Sequence, residues 1–116
     1  MIKYEKEYGN IYIATDVVAK IVGNAATSCF GVVGMALSDA ADGIVSLLKK
    51  DRIEKGVKVT STPEGLAIDI HIIVSYGYNL SAIAKSIENE VSYAIERELG
   101  TRPASCKVFI DSMRVE

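Results

Sequence analysis

The sequence predicts an α/β domain of the α+β type. It has two layers, a mixed β-sheet with helices on one face, in the order β-α-β-(α)-β-β-α-β. Three features predict this. The runs Val57 to Thr62 and Leu66 to Val74 alternate apolar with polar residues on either side of Pro63-Glu64-Gly65. Leu80, Ile83, Ala84, Ile87, Val91, Ile95 and Leu99 form one apolar stripe at helical spacing. Shorter apolar runs lie between and beyond these two blocks, each bounded by glycine or by polar turn residues.

Taken in chain order, Gly9-Asn10 opens a short strand, Ile11 to Ala14. Thr15-Asp16 offers an N-cap and a first-turn carboxylate for a helix from about Thr15 to Ser28. Val17, Ile21 and Ala25 share a face of it, beside Val18, Val22, Ala26 and Cys29. Phe30-Gly31 ends this helix, and Val32 to Leu37 reads as a buried strand. Ile44, Leu47 and Leu48 then sit at helical spacing, so a short helix is expected near Asp42 to Lys50. In the hairpin that follows, Pro63 suits the second position of a type I turn. Gly65 supplies the positive φ that closes a three-residue loop. Tyr76-Gly77-Tyr78 stops the second hairpin strand, Asn79 or Ser81 caps the long helix, and Gly100 is its C-cap. At about 1.5 Å per residue this helix spans about 30 Å, enough to cross the sheet. Arg102-Pro103 bars its continuation, and Lys107 to Ile110 is the last strand.

The face away from the helices carries Lys58, Thr60, Ala67, Asp69, His71, Ser75, Lys107 and Asp111, and is expected to be wet. Tyr12, Ile73 and Phe109 interrupt it. Apolar groups within a polar rim mark contact sites, so these three are the expected partner-binding residues.

Composition narrows the classes of function. The 116 residues make one domain, and 49% hydrophobic residues exclude a disordered chain. Thirteen basic and fifteen acidic residues give a net charge of −2, so no global basic field draws the molecule onto nucleic acid. Cys29 and Cys106 fit no metal or redox spacing and read as small buried hydrophobes in a reducing cytosol. The charged N-terminus breaks any secretory apolar region, and no apolar run approaches the roughly twenty residues of a membrane span. Composition alone therefore describes a soluble cytoplasmic domain, without cofactor or metal.

Four local patterns bear on chemistry. Asp69-x-His71 puts a carboxylate and the sole imidazole on one strand face. Residues i and i+2 stand roughly 7 Å apart, too far for a direct hydrogen bond, so the pair reads as solvated surface. Gly31-Val32-Val33-Gly34 matches the GXXG loop of a KH domain in outline, and a small KH-like RNA-binding module is the alternative reading. Its middle pair is apolar and a strand follows it, so a tight turn is the simpler account. Lys49 to Lys58 holds five basic and two acidic residues, a local charge of +3, beside Ile44, Leu47 and Leu48. Lys49, Lys50 and Arg52 are its candidate surface-charge contacts with an anionic membrane. Tyr76 and Tyr78 lack surrounding cations and read as packing where the long helix begins. No catalytic residues emerge.

Several segments together resemble the alkaline-shock/envelope-stress family of Gram-positive bacteria, particularly its small YloU-like members. They are Tyr8 to Ile13, Cys29 to Ala36, Lys55 to Val59, Ile72 to Gly77, and Gly100 before the last strand. They span almost the whole chain in the family's order, with the "G-V-x-G-M" and "V-x-Y-G" motifs intact. The resemblance implies a non-enzymatic scaffold or interaction protein of envelope stress response or homeostasis. It implies residence at the inner face of the membrane through a membrane-anchored partner, and a link to a kinase acting on fatty acids or dihydroxyacetone-like substrates. With no span and a basic segment of only +3, membrane residence requires a protein partner or a homo-oligomer in which weak contacts add. No nucleic acid is expected.

Overall fold

A computed structural model describes the backbone of residues 2–6, 9–39 and 44–115, and the side chains of residues 13–37 and 45–115. The elements are strands β1 (Ile2–Lys6) and β2 (Gly9–Ile13), helix α1 (Thr15–Thr27), and strands β3 (Val32–Asp39) and β4 (Ile44–Leu47). A 3-10 segment (Lys50–Gly56) follows, then β5 (Val57–Thr62), β6 (Gly65–Ser75), α2 (Leu80–Leu99) and β7 (Ser105–Arg114).

Strand β6 organises the five-stranded sheet. It pairs in parallel with β7 from Ala67 to Ser75. Its other edge is shared, antiparallel β5 covering Gly65 to Ile70 and antiparallel β3 covering Ile72 to Val74. The β5–β6 turn is tighter than the sequence implied. Thr62 pairs with Gly65 across two residues, Gly65 has φ +132°, and the Thr62 hydroxyl donates to the Gly65 carbonyl at 2.7 Å.

The mixed sheet with helices on one face matches the predicted class. Alternation explains why: Leu66, Ile68, Ile70 and Ile72 on β6 are buried against Val18, Val22 and Ala26 of α1 and Ile83, Ile87, Val91 and Ile95 of α2. Helix α2 starts where Asn79 accepts from the Ala82 N–H at 3.0 Å, and it ends at Gly100 in the left-handed region.

Three expectations are corrected. The segment from Ile44 is a strand, pairing Leu47 with Ala36 and Ile44 with Asp39, rather than a short helix. Its apolar residues fit either period, and the open edge of β3 decides; the helical turns come later, at Lys50–Gly56. Among the described residues, strand β2 pairs with β1 alone, Tyr12 opposite Lys3, in a separate two-stranded sheet. Helix α1 has Ala14 at its N-cap with no side-chain cap, so Thr15 lies inside the helix.

Candidate functional site

The face of the sheet away from the helices is built by the odd positions of β6 and by Ser105, Lys107 and Phe109 of β7. Ala67, Asp69, His71 and Ser75 are all partly accessible there, and Lys107 is exposed. The register sets Lys58 and Lys107 on either side of Asp69, and Phe109 beside His71.

Beyond Ile110 the register slips. Ile72 faces Ile110, but Ile73 faces Ser112, so Asp111 is an extra residue in β7. Alternation after Lys107 and Phe109 already puts Asp111 on the outer face, and the bulge takes the residues that follow it, from Ser112, out of phase. The His71 Nδ1–H donates to Asp111 Oδ2 at 2.9 Å. The imidazole also stacks on Phe109, ring centroids 4.7 Å apart and planes within 10°. The carboxylate on the same strand, Asp69, is therefore not the partner of His71. Asp111 supplies that role, and the sequence does carry a sign of it. Cys106, Val108 and Ile110 keep a two-residue apolar period that resumes one residue late, at Met113.

The three expected partner-binding residues are not brought together. Phe109 is 41% exposed on the outer face. Ile73 is fully buried, which removes it from any docking surface. It pairs with Gly34, and Leu47 leans over that glycine so closely that a Cβ there would meet Leu47 Cδ1 at 2.6 Å. Ala36, two residues along β3, is also fully buried. The far end of β6 is thus buried on both faces, a result that alternation alone does not reveal. Tyr12 belongs to the β1–β2 pair, and its side chain lies outside the described residues.

Lys49, Lys50 and Arg52 are all exposed, around a 3-10 segment anchored by buried Ile53. A Cβ at Gly23 would lie 3.1 Å from Ile53, so α1 approaches this anchor closely. The Gly31–Gly34 segment is not a loop between two helices. Gly31 makes the turn at φ +76°, Val32 already pairs with Val74, and Gly34 pairs with Ile73 inside the sheet. The KH-like reading therefore has no geometric support. Tyr78 tilts against Phe30 at 5.9 Å above Gly31, the packing expected where the long helix begins, but Tyr76, expected to pack there too, is 70% exposed.

Other chemistry is sparse. A cleft of about 220 Å³ beside His71 is lined by Ala36, Leu37, Lys55, Gly56, Val57 and Lys58. Among the described residues, no three metal-ligating side chains cluster, and no helix is long and apolar enough to cross a membrane. Both cysteines are unpaired thiols. Burial pushes the Cys106 thiol up to about 11, with Glu88 and Asp69 adding to the effect. Burial also raises Cys29, partly opposed by its hydrogen bond with Ser86.

Comparison with known proteins agrees with this architecture. The fold resembles that of MamM-CTD H285A, with a TM-score of 0.52 and 16% identity over 87% of this chain and all of that one. Uncharacterized protein YloU of Bacillus subtilis (strain 168) is 35% identical over 115 residues, covering 98% of this chain and 96% of its own. Uncharacterized protein Spy1614 of Streptococcus pyogenes serotype M6 is 37% identical over 115 residues, 98% of this chain and 95% of its own. A family model matches residues 3–115, and the chain belongs to the alkaline-shock protein 23 family, of cell envelope-related function.

Proposed function

We propose that the chain is a non-catalytic interaction protein, a scaffold in cell-envelope stress response or homeostasis. It docks a protein partner on the outer face of its sheet. The observation that carries this reading is the ordered aromatic at Phe109. Its ring is 41% exposed yet held in place by the His71 stack, and His71 is in turn held by Asp111. A pre-ordered aromatic loses little entropy on contact, and the surrounding Lys107, Lys58, Thr60 and Asp69 form the polar rim that contact sites share.

The partner is a membrane-anchored protein or a kinase of fatty-acid or dihydroxyacetone type, as the family resemblance implies. The chain then works in the cytoplasm, at the inner face of the membrane through that partner. Direct lipid binding is a weak second contact. Lys49, Lys50 and Arg52 each contribute about 1 kcal/mol near an anionic surface, and Asp51 and Glu54 offset part of it.

Affinity purification from native cells, with the membrane fraction retained, tests the reading. The wild type is expected to retain a partner that the Phe109→Glu variant loses with its melting curve unchanged. Equal recovery by both proteins would remove this face.

A further inference from the structure

We infer that the outer edge of β7 pairs two copies of this chain, antiparallel and edge to edge. This goes beyond partner docking, because it concerns the strand's backbone edge and is read on purified protein.

Backbone direction comes first. The Tyr76 N–H donates to the Arg114 carbonyl at 2.8 Å, and the Ala104 N–H donates to the Leu66 carbonyl at 2.7 Å. The even-numbered residues of β6 therefore point at β7. In a parallel ladder the residue opposite a pointing residue directs its own groups away. Ile68, Ile70 and Ile72 face Cys106, Val108 and Ile110, so those three present their N–H and C=O groups outward. Among the described residues, β7 pairs with β6 alone. An unpaired edge of ten residues without proline is a template for another strand.

Side chains then select the occupant and the register. A two-fold pairing must bring outward groups to outward groups, which restricts the centre to one of a few residues. Centred on Phe109, Val108 exchanges both backbone hydrogen bonds with Ile110 of the second copy. Lys107 then stands opposite Asp111 twice, and Phe109 stands opposite its own counterpart. Lys107, Phe109 and Asp111 share the outer face by alternation, and the hydrogen bond with His71 holds Asp111 there. The neighbouring centres lose this match: Lys107 sets lysine against lysine, Val108 sets Lys107 against Phe109, and Ile110 sets Phe109 against Asp111. Beyond Asp111 the bulge takes Ser112 out of phase, so the ladder is confined to residues 107–111. This short strand is self-complementary in charge, shape and hydrogen bonding, which is what a second copy requires. Both sets of helices stay on one side, and two five-stranded sheets become one.

Sedimentation equilibrium of the purified chain over a concentration series tests the inference. The wild type is expected to be a monomer–dimer equilibrium. Lys107→Glu, which sets like charges opposite each other twice, is expected to weaken the dimer about ten-fold. The double variant Lys107→Glu/Asp111→Lys is expected to recover it. Independently, on a Cys106→Ser background, Phe109→Cys is expected to form an intermolecular disulfide on mild oxidation. Cα atoms of such a facing pair lie about 4.5 Å apart, within disulfide reach. Tyr93→Cys on the helical side is expected to form none. A monomer at every concentration would overturn the inference while leaving partner docking untouched. A dimer indifferent to Lys107→Glu, or equal cross-linking from both cysteine positions, would overturn it too.

Discussion

Adjacent residues on β6 meet three different environments. Ile70 is fully buried beneath the helices, so Ile70→Ala is expected to cost about 2–5 kcal/mol through lost transfer energy and a residual cavity. His71 is partly exposed and keeps one hydrogen bond to a carboxylate, so His71→Ala is expected to cost about 1 kcal/mol. Ile73 lies on the same side of the strand as His71 but is fully buried, so Ile73→Glu is expected to unfold much of the protein by burying a charge. Urea denaturation of the three variants checks this order, and similar midpoints for Ile73→Glu and His71→Ala would contradict the closed far end of β6. Cys106 adds a pH dependence. Its thiol stays protonated up to about 11 in the fold, whereas an unfolded thiol ionises near its ordinary value of 9.0. A raised folded value stabilises the fold below the unfolded value, and this contribution is lost as pH rises from 9.0 through about 11. Thermal melts of Cys106→Ala are therefore expected to fall less steeply over that window than those of the wild type.

Among the elements, β5, β6 and α2 are legible because each buries one stripe, and a single period then accounts for the sequence. Strand β4 is not, since Ile44, Leu47 and Leu48 satisfy a helical period, and only the edge offered by Ala36 to Asp39 makes the segment a strand. The chemistry of the site was half legible. Phe109, Asp111 and the polar face follow from alternation, but the choice of Asp111 over Asp69 as the partner of His71 depends on the β6–β7 pairing across forty residues of chain. The turn into β3 provides a further test. Gly31 has φ +76°, and a Cβ there would meet Ile83 Cδ1 at 2.6 Å. Gly31→Ala is expected to destabilise by about 1–3 kcal/mol, while Gly34→Ala is expected to cost less because only the tip of half-exposed Leu47 must move. Calorimetry of the two variants separates strain from packing.

At the scale of the whole molecule, the polar outer face leaves the sheet covered by helices on one side only, an arrangement open to contact along both the face and the β7 edge. The basic segment adds little, and purified protein is expected to co-sediment weakly with anionic liposomes at physiological salt. Tight binding there would transfer the docking role from the sheet to Lys49, Lys50 and Arg52. Docking of a protein at Phe109 is best probed by placing a photo-reactive amino acid at position 109 in living cells, with position 93 on α2 as the control. A discrete cross-link to a protein other than a second copy of this chain is expected from position 109, and none from position 93. Cross-linking from position 93 with none from position 109 would contradict docking on the outer face.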